Sequence, residues 1–363
     1  MNPLDCYCAT QATLLPFHQG RFACYSQDGQ LIKEAMLYRN FCMVFQQADL
    51  VSATITEYSP VIFAGFLFKQ YGHFLLESLA RLWYAKAHPH LPICWVGRDG
   101  AILDFQEEIL HLLGIKNTIL FVDQPVRFTE LHIPAPGYII RNHFTHAHAH
   151  FLGQGHAEKT IANKKIYLSR KKFGGESCLS NEDEVESALK DQGFSIYYPE
   201  EHSVHEQISH LSSADVILAV EGSALHTLIL LEHVTANVVI IPRPNTESNA
   251  NFHTIAIAKN FKQTYLPEKH LYSEIIPISN THIKYQGTIN ITQLQNLVHG
   301  DCFSPYALFA KWFTEAPEYT LSSQLQTDQL LNKLQKENKE LKGHLKSLFF
   351  EHQKLLSALN HNK

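Results

Sequence analysis

No stretch of the 363 residues stays apolar for the length of a membrane span, and charged residues are scarce at 18%. Lys and Arg number 30 against 35 Asp and Glu, a net charge of −5, so the basic excess of a nucleic-acid-binding surface is absent. The first 20 residues lack a basic segment followed by an apolar one, so no secretory signal is expected. Seven cysteines are an odd and scattered set, with no CxxC pair and no zinc-ligand spacing. Cys6 and Cys8 are close, but reduced thiols in a cytoplasm are the simplest reading. No G-x-G-x-x-G follows an expected strand, which disfavours a nicotinamide-dependent enzyme. Ser223 has no second glycine after it, which argues against a nucleophile elbow. What the chain has is apolar bulk: 45% hydrophobic residues exclude global disorder. The length suits about two domains at roughly 150 residues each.

Apolar β-rich runs at Pro60–Gly65, Ile93–Gly97 and Thr118–Val122 alternate with helix-like stretches at Gly72–Ala87 and Ile102–Leu113. This predicts βαβ units and a mostly parallel sheet up to about residue 155. From about 160 to 300 the alternation is plainer. Strands are expected at Lys165–Arg170, Phe194–Tyr198, Asp215–Val220 and Asn237–Ile241. Helices are expected from a capping box at Ser180–Asp183 to about Gln192, at Val204–Ser213 and at Ala224–Leu231, with Gly193 in the C′ role. This is the pattern of a doubly wound, Rossmann-like domain. The tail changes character. Leu334, Leu341, Leu348 and Leu355 recur every seventh residue; taken as d, they place Leu331, Asn338, Leu345, His352 and Leu359 at a. The heptads predict a parallel two-stranded coiled coil over 327–361 and a homodimer, with higher oligomers or a helix packed on its own domain as alternatives.

Four features can carry chemistry. In the first, a buried strand runs into Glu221-Gly222-Ser223 and a helix begins at once. Gly222 permits a tight turn, Ser223 can cap, and the amides of Ala224 and Leu225 are free to bind an anion such as phosphate. In the second, Arg170, Lys171 and Lys172 leave a strand and enter a loop containing Gly174 and Gly175, so they offer phosphate ligands or merely a solvated basic loop. In the third, His73, Glu77 and Arg81 step by four along one helix face, either as a base with its orienting carboxylate or as a surface ion pair. The fourth is His143–His150, where alternate or helical spacing could gather zinc ligands. With no acidic or Cys partner nearby, a polar hinge or cleft lining is the better reading.

Three of these segments resemble, in order, the motifs of glycosyltransferase family 61. They are Tyr71-Gly-His73-Phe-Leu-Leu-Glu77 with Arg81-Leu82; Ile166-Tyr-Leu-Ser-Arg170 with Asn181-Glu182; and Glu206-Gln207, Ala214–Ile217 and Gly222–Leu225. The likeness spans about residues 60–245, and Glu221 stands where many relatives carry His. It implies a GT-B fold of two Rossmann-like α/β domains, expected at 1–155 on the acceptor side and 156–320 binding a nucleotide sugar; the coiled coil expected at 321–363 lies outside the likeness. It further implies inverting transfer to a glycan or lipid-linked glycan without a metal or cofactor, with His73 and Glu77 supplying the base. The donor would be held by Arg170, Lys171, Lys172, Glu221, Gly222, Ser223, Ala224 and Leu225. Capsule or other surface-glycan assembly, cytoplasmic or peripheral at the inner membrane, is the expected setting. A nucleotide-binding scaffold dimerised by its coiled coil is the alternative.

Overall fold

The computed structural model describes residues 4–97, 100–153, 164–173, 179–245, 249–268, 271–279 and 284–298. The chain divides into two compact units, Met1–Gly300 and Asp301–Lys363. The second unit lies outside the described residues, and with it the coiled coil expected at 327–361. The boundary expected at 155/156 and the glycines at 174 and 175 lie outside them too.

The first unit is a mixed α/β structure with two main sheets. In the first sheet the strands run in the order Ile119–Phe121, Ile93–Val96, Val61–Phe66, Val126–Pro134, Cys6–Leu14, Cys24–Tyr25, and Ile55–Glu57 also pairs with Val126–Pro134. The strands from Ile119–Phe121 through Val126–Pro134 are parallel. Every residue of Val61–Phe66 and of Ile93–Val96 is buried, as expected of strands covered on both faces. The sequence reading did not anticipate the other edge. There Cys6–Leu14 runs antiparallel to the nine-residue strand Val126–Pro134.

The second sheet is wholly parallel. Its spatial order is Phe194–Tyr197, Lys165–Leu168, Val216–Val220, Asn237–Ile241, Gln263–Tyr265. In chain order this is 2-1-3-4-5, a doubly wound arrangement that reverses direction between Lys165–Leu168 and Val216–Val220. Ligands of such sheets bind in the crevice beyond the carboxyl ends of the strands at the switch point. The residues that leave those two ends are Ser169-Arg170 and Glu221-Gly222-Ser223.

Three local expectations need correction. Gly72–Ala87 is not one continuous helix: an α-turn at Tyr71–His73 passes into a π-helical turn at Phe74–Ser78, and an α-helix resumes only at Leu82–Ala87. Ser180–Asp183 forms no capping box. Asn181 precedes the helix Glu182–Asp191, but its side chain bonds the backbone of Ile289 instead. Residues Ser223–Leu230 form a 3-10 helix with Gly222 at the N-cap, so Ser223 sits inside the first turn and does not cap it.

A single apolar cluster joins the two sheets. It contains Leu75 and Leu79 from the first motif, Ile217 from the second sheet, and Leu225 and Leu228 from the 3-10 helix. Polar bonds lock the same junction: the Glu108 carboxylate accepts the amides of Val204 and His205 at 2.9 Å each, where the next helix begins.

Candidate functional site

The broken helix sets the geometry of the first motif. Frequent at functional sites, a π-turn shifts the register of every residue after it. His73 Nδ1 lies 2.6 Å from Glu77 Oε2, as the i,i+4 spacing predicts. Arg81, however, leaves the line. It is buried, with its guanidinium donating to the carbonyls of Pro134 and Glu34 and stacked over Phe63. The cation that reaches Glu77 is Arg39, from the hairpin of Tyr38–Arg39 and Cys42–Met43. Its Nε and Nη2 donate to Oε1 and Oε2 at 2.9 Å each, a bidentate fork.

The Glu77 side chain is 2% exposed, while His73 and Arg39 are 41% and 36% exposed. Burial opposes the charge on Glu77, but the bonds and positive charge of His73 and Arg39 outweigh it and hold the carboxyl below its ordinary range. An ionised carboxylate that accepts from Nδ1 leaves the His73 Nε2 lone pair free to take a proton. Phe68 packs on the His73 ring, with centroids 5.5 Å apart.

The second motif is built from beneath. Glu182 and Glu186 are buried. Glu182 Oε1 accepts from Tyr167 Oη at 2.7 Å and from the Arg170 amide at 3.2 Å, and Ser169 Oγ donates to Glu186 at 2.8 Å. These bonds fix the turn, and Arg170 leaves it toward the switch point. There a Cβ on Gly222 would stand 2.4 Å from Arg170 Nη1, so glycine is required for the guanidinium to lie where it does. The guanidinium stacks on Phe173 at 5.0 Å, and its buried Nε has no hydrogen-bond partner among the described residues.

Arg170, Ser169, Ser223 and Ala224 line a cavity of about 430 Å³, closed from the first sheet's side by Tyr71 and Phe105. Gly72 lets the two halves meet: a Cβ there would stand 2.8 Å from His226 Nδ1 and 3.1 Å from Ser223 Cβ. Tyr71 Oη and Thr227 Oγ1 complete the contact at 2.8 Å. A second cavity, of about 370 Å³, opens at the carboxyl ends of Val61–Phe66 and Ile93–Val96 and is lined by Phe17, Phe45, Phe66 and Phe68. His73 lines neither cavity. Its ring neighbour Phe68 lines one, and Tyr71, two residues before it, lines the other.

The remaining expected residues are placed differently. Lys171 pairs with Asp183, and Lys172 with Glu201 at 2.6 Å and over the Tyr198 ring; neither lines the cavity. Glu221 is buried behind the turn, accepting from Tyr265 Oη at 3.2 Å. Leu225 belongs to the core. In the His143–His150 segment, His148 is fully buried between Phe144 and Phe151, and the histidines there form no metal cluster among the described residues.

Two residues the sequence did not single out belong to the site. Arg39 carried no motif, and only the fold brings it 38 positions to Glu77. His226, in the Gly-Ser-Ala-Leu-His run, is buried against Phe252 with neither nitrogen bonded among the described residues; burial, then the charges of His73 and Arg243, depress it to about 3 and keep it neutral.

No helix among the described residues is long and apolar enough to cross a membrane. No curated protein matches the chain. The family model described as Glycosyltransferase 61 matches residues 71–240, a span that opens at Tyr71 and takes in the His73–Glu77 pair, Arg170 and the Ser223 turn. Residues 71–240 therefore carry a glycosyltransferase family 61 domain, which supports a glycosyltransferase.

Proposed function

We propose that the chain is an inverting, metal-independent enzyme of GT-B type that moves a sugar from a nucleotide-sugar donor to a glycan or lipid-linked glycan of surface-polysaccharide assembly. The observation that carries this reading is Arg170, which lines a cavity at the switch point of a parallel sheet and whose buried Nε has no hydrogen-bond partner among the described residues. A guanidinium at a cavity wall suits the anionic oxygens of a ligand. A departing diphosphate needs such stabilisation, and the first turn at Ser223 adds backbone dipoles to it.

His73 takes the proton of the acceptor hydroxyl, Glu77 orients it and balances its charge, and Arg39 holds Glu77 ionised. One oriented base suits a single displacement with inversion. Phe17, Phe45, Phe66 and Phe68 offer aromatic faces to an acceptor sugar beside the base. Lys171 and Lys172 act at longer range, on the rim. Assembly as a homodimer through residues 327–361 and a cytoplasmic or peripheral inner-membrane setting complete the reading.

Melting curves with a panel of nucleoside diphosphates and nucleotide sugars test it, since a ligand that binds only the native state raises the melting temperature. The expected result is a rise with one diphosphate class that Arg170→Ala abolishes, followed by an NMR assignment of inverted product anomer. Absence of a shift with any member, or a retained shift in Arg170→Ala, refutes the donor site; retained anomeric configuration refutes the displacement.

A further inference from the structure

At its antiparallel edge the first sheet carries a second cluster, none of whose residues lines either cavity. Alternate residues of a strand share a face, so Cys6 and Cys8 point the same way from Cys6–Leu14. The register with Val126–Pro134 sets Cys8 directly opposite His132. The two sulfurs and one imidazole nitrogen all lie within 4.8 Å of one another, and Cys8 is exposed to solvent. Tetrahedral coordination with zinc–sulfur bonds of about 2.3 Å needs sulfurs about 3.8 Å apart, so the ligand atoms need to close by no more than about 1 Å.

The imidazole is already oriented. His132 Nε2 lies 2.7 Å from Glu130 Oε1, and because a carboxylate only accepts, Nε2 carries the proton. Nδ1 is then the lone-pair nitrogen, satisfied at present by the Tyr84 hydroxyl at 2.9 Å. That hydroxyl also bonds the Cys6 side chain, so it occupies the space between sulfur and nitrogen. A carboxylate that holds the far nitrogen of a ligating histidine is the usual outer support of a metal site.

We infer that Cys6 Sγ, Cys8 Sγ and His132 Nδ1 form a zinc site, with Glu130 as positioning residue and a fourth position open to water. Two thiolates and one imidazole form a soft donor set that suits Zn²⁺ and excludes Mg²⁺ or Ca²⁺. Binding displaces one proton from each thiol and moves the Tyr84 hydroxyl aside. The ion ties the outermost long strand to its neighbour and leaves the transferase cavities untouched.

The test uses the reduced, chelator-stripped full chain titrated with Co²⁺ and then Zn²⁺. One cobalt per chain should bind with a thiolate-to-cobalt charge-transfer band, which zinc bleaches. Cys6→Ser and Cys8→Ser should each lose the band, whereas Glu130→Gln should keep it with affinity lowered by about 10–100-fold. Zinc should also shield both thiols from iodoacetamide in the wild-type chain, a readout that needs no variant. Transferase activity of Cys8→Ser should equal that of the wild type. A chain that binds no more metal than Cys8→Ser, or binds it without the thiolate band, overturns the assignment. So does unhindered alkylation of both cysteines in the presence of zinc.

Discussion

Replacing Glu77 by Gln keeps the shape of the side chain and removes its charge. In the wild type the carboxylate accepts two bonds from Arg39 at 2.9 Å and one from His73 at 2.6 Å. An amide offers one oxygen and one NH2, so at least one of those donors faces another donor. Charge-assisted bonds contribute about 1.5–3 kcal/mol each. Arg39 and His73 are 36% and 41% exposed, so water recovers part of the loss. A destabilisation of ~2–3 kcal/mol follows from the low end of that range. An unfolding entropy of about 2.1 cal/mol/K per residue, applied to the Met1–Gly300 unit, converts this to a drop of ~3–5 °C in melting temperature. The difference should shrink in acid. A carboxyl held below its ordinary range contributes its full stabilisation above the unfolded value and loses it as pH falls through the native one.

The effect on turnover is separate and larger. Loss of an oriented base costs about 10²–10⁴-fold in kcat. KM for the donor should be unchanged, since Glu77 does not line the Arg170 cavity. Calorimetry and release of nucleoside diphosphate, measured on the same preparation, read both. Adding His73→Ala should be little worse than the worse single change, because the two act as one unit. A Glu77→Gln chain that melts as expected yet keeps more than about a tenth of kcat refutes the assignment.

Arg170→Ala should lower turnover by about 10²–10³-fold, with Arg170→Lys restoring only part because the fork is lost; wild-type kinetics in the alanine variant would exclude the role. Gly72→Ala would press a methyl group to 2.8 Å from His226 Nδ1, so its melting temperature should fall by the equivalent of about 1–3 kcal/mol, as in other overpacked junctions. Burial first, then the charges of His143 and Lys259, depress His148 to about 3, below its usual 6.5. The unfolded chain therefore binds more protons between those values, and stability should decline as pH falls below about 6.5. His148→Phe, which replaces two buried nitrogens that are unbonded among the described residues, between Phe144 and Phe151, should flatten that decline and raise the melting temperature at neutral pH. Truncation before Leu325 should halve the mass seen by light scattering and leave donor-induced thermal shifts intact; an unchanged mass would refute tail-mediated dimerisation.

Much of this site is local, and local signals are legible in a sequence. His73 and Glu77 meet because four residues make about one helical turn, and the π-turn between them does not disturb that contact. The βα alternation from Lys165 to Ile241 predicts a parallel sheet because each strand is mostly apolar, Val216–Val220 entirely so, and each is followed by a helical segment. Arg170 and Gly222 were each identified by their position after such a strand.

Pairings across the chain were not legible. Arg39 and Arg81 are both arginines within reach of the first motif, and the helix period alone favours Arg81. The π-turn and the break at Leu79–Arg81 rotate Arg81 into the first sheet, and a two-residue hairpin turn delivers Arg39. Lys171 and Lys172 looked equivalent to Arg170, but acids on neighbouring elements claim both. Cys6 and Cys8 lack any metal spacing in the chain, because their third partner arrives 124 residues later through strand register. Sequence period sets what one element presents on one face. Which element stands opposite is a property of the folded chain, since loop closure and core packing choose among many partners of equal local chemistry.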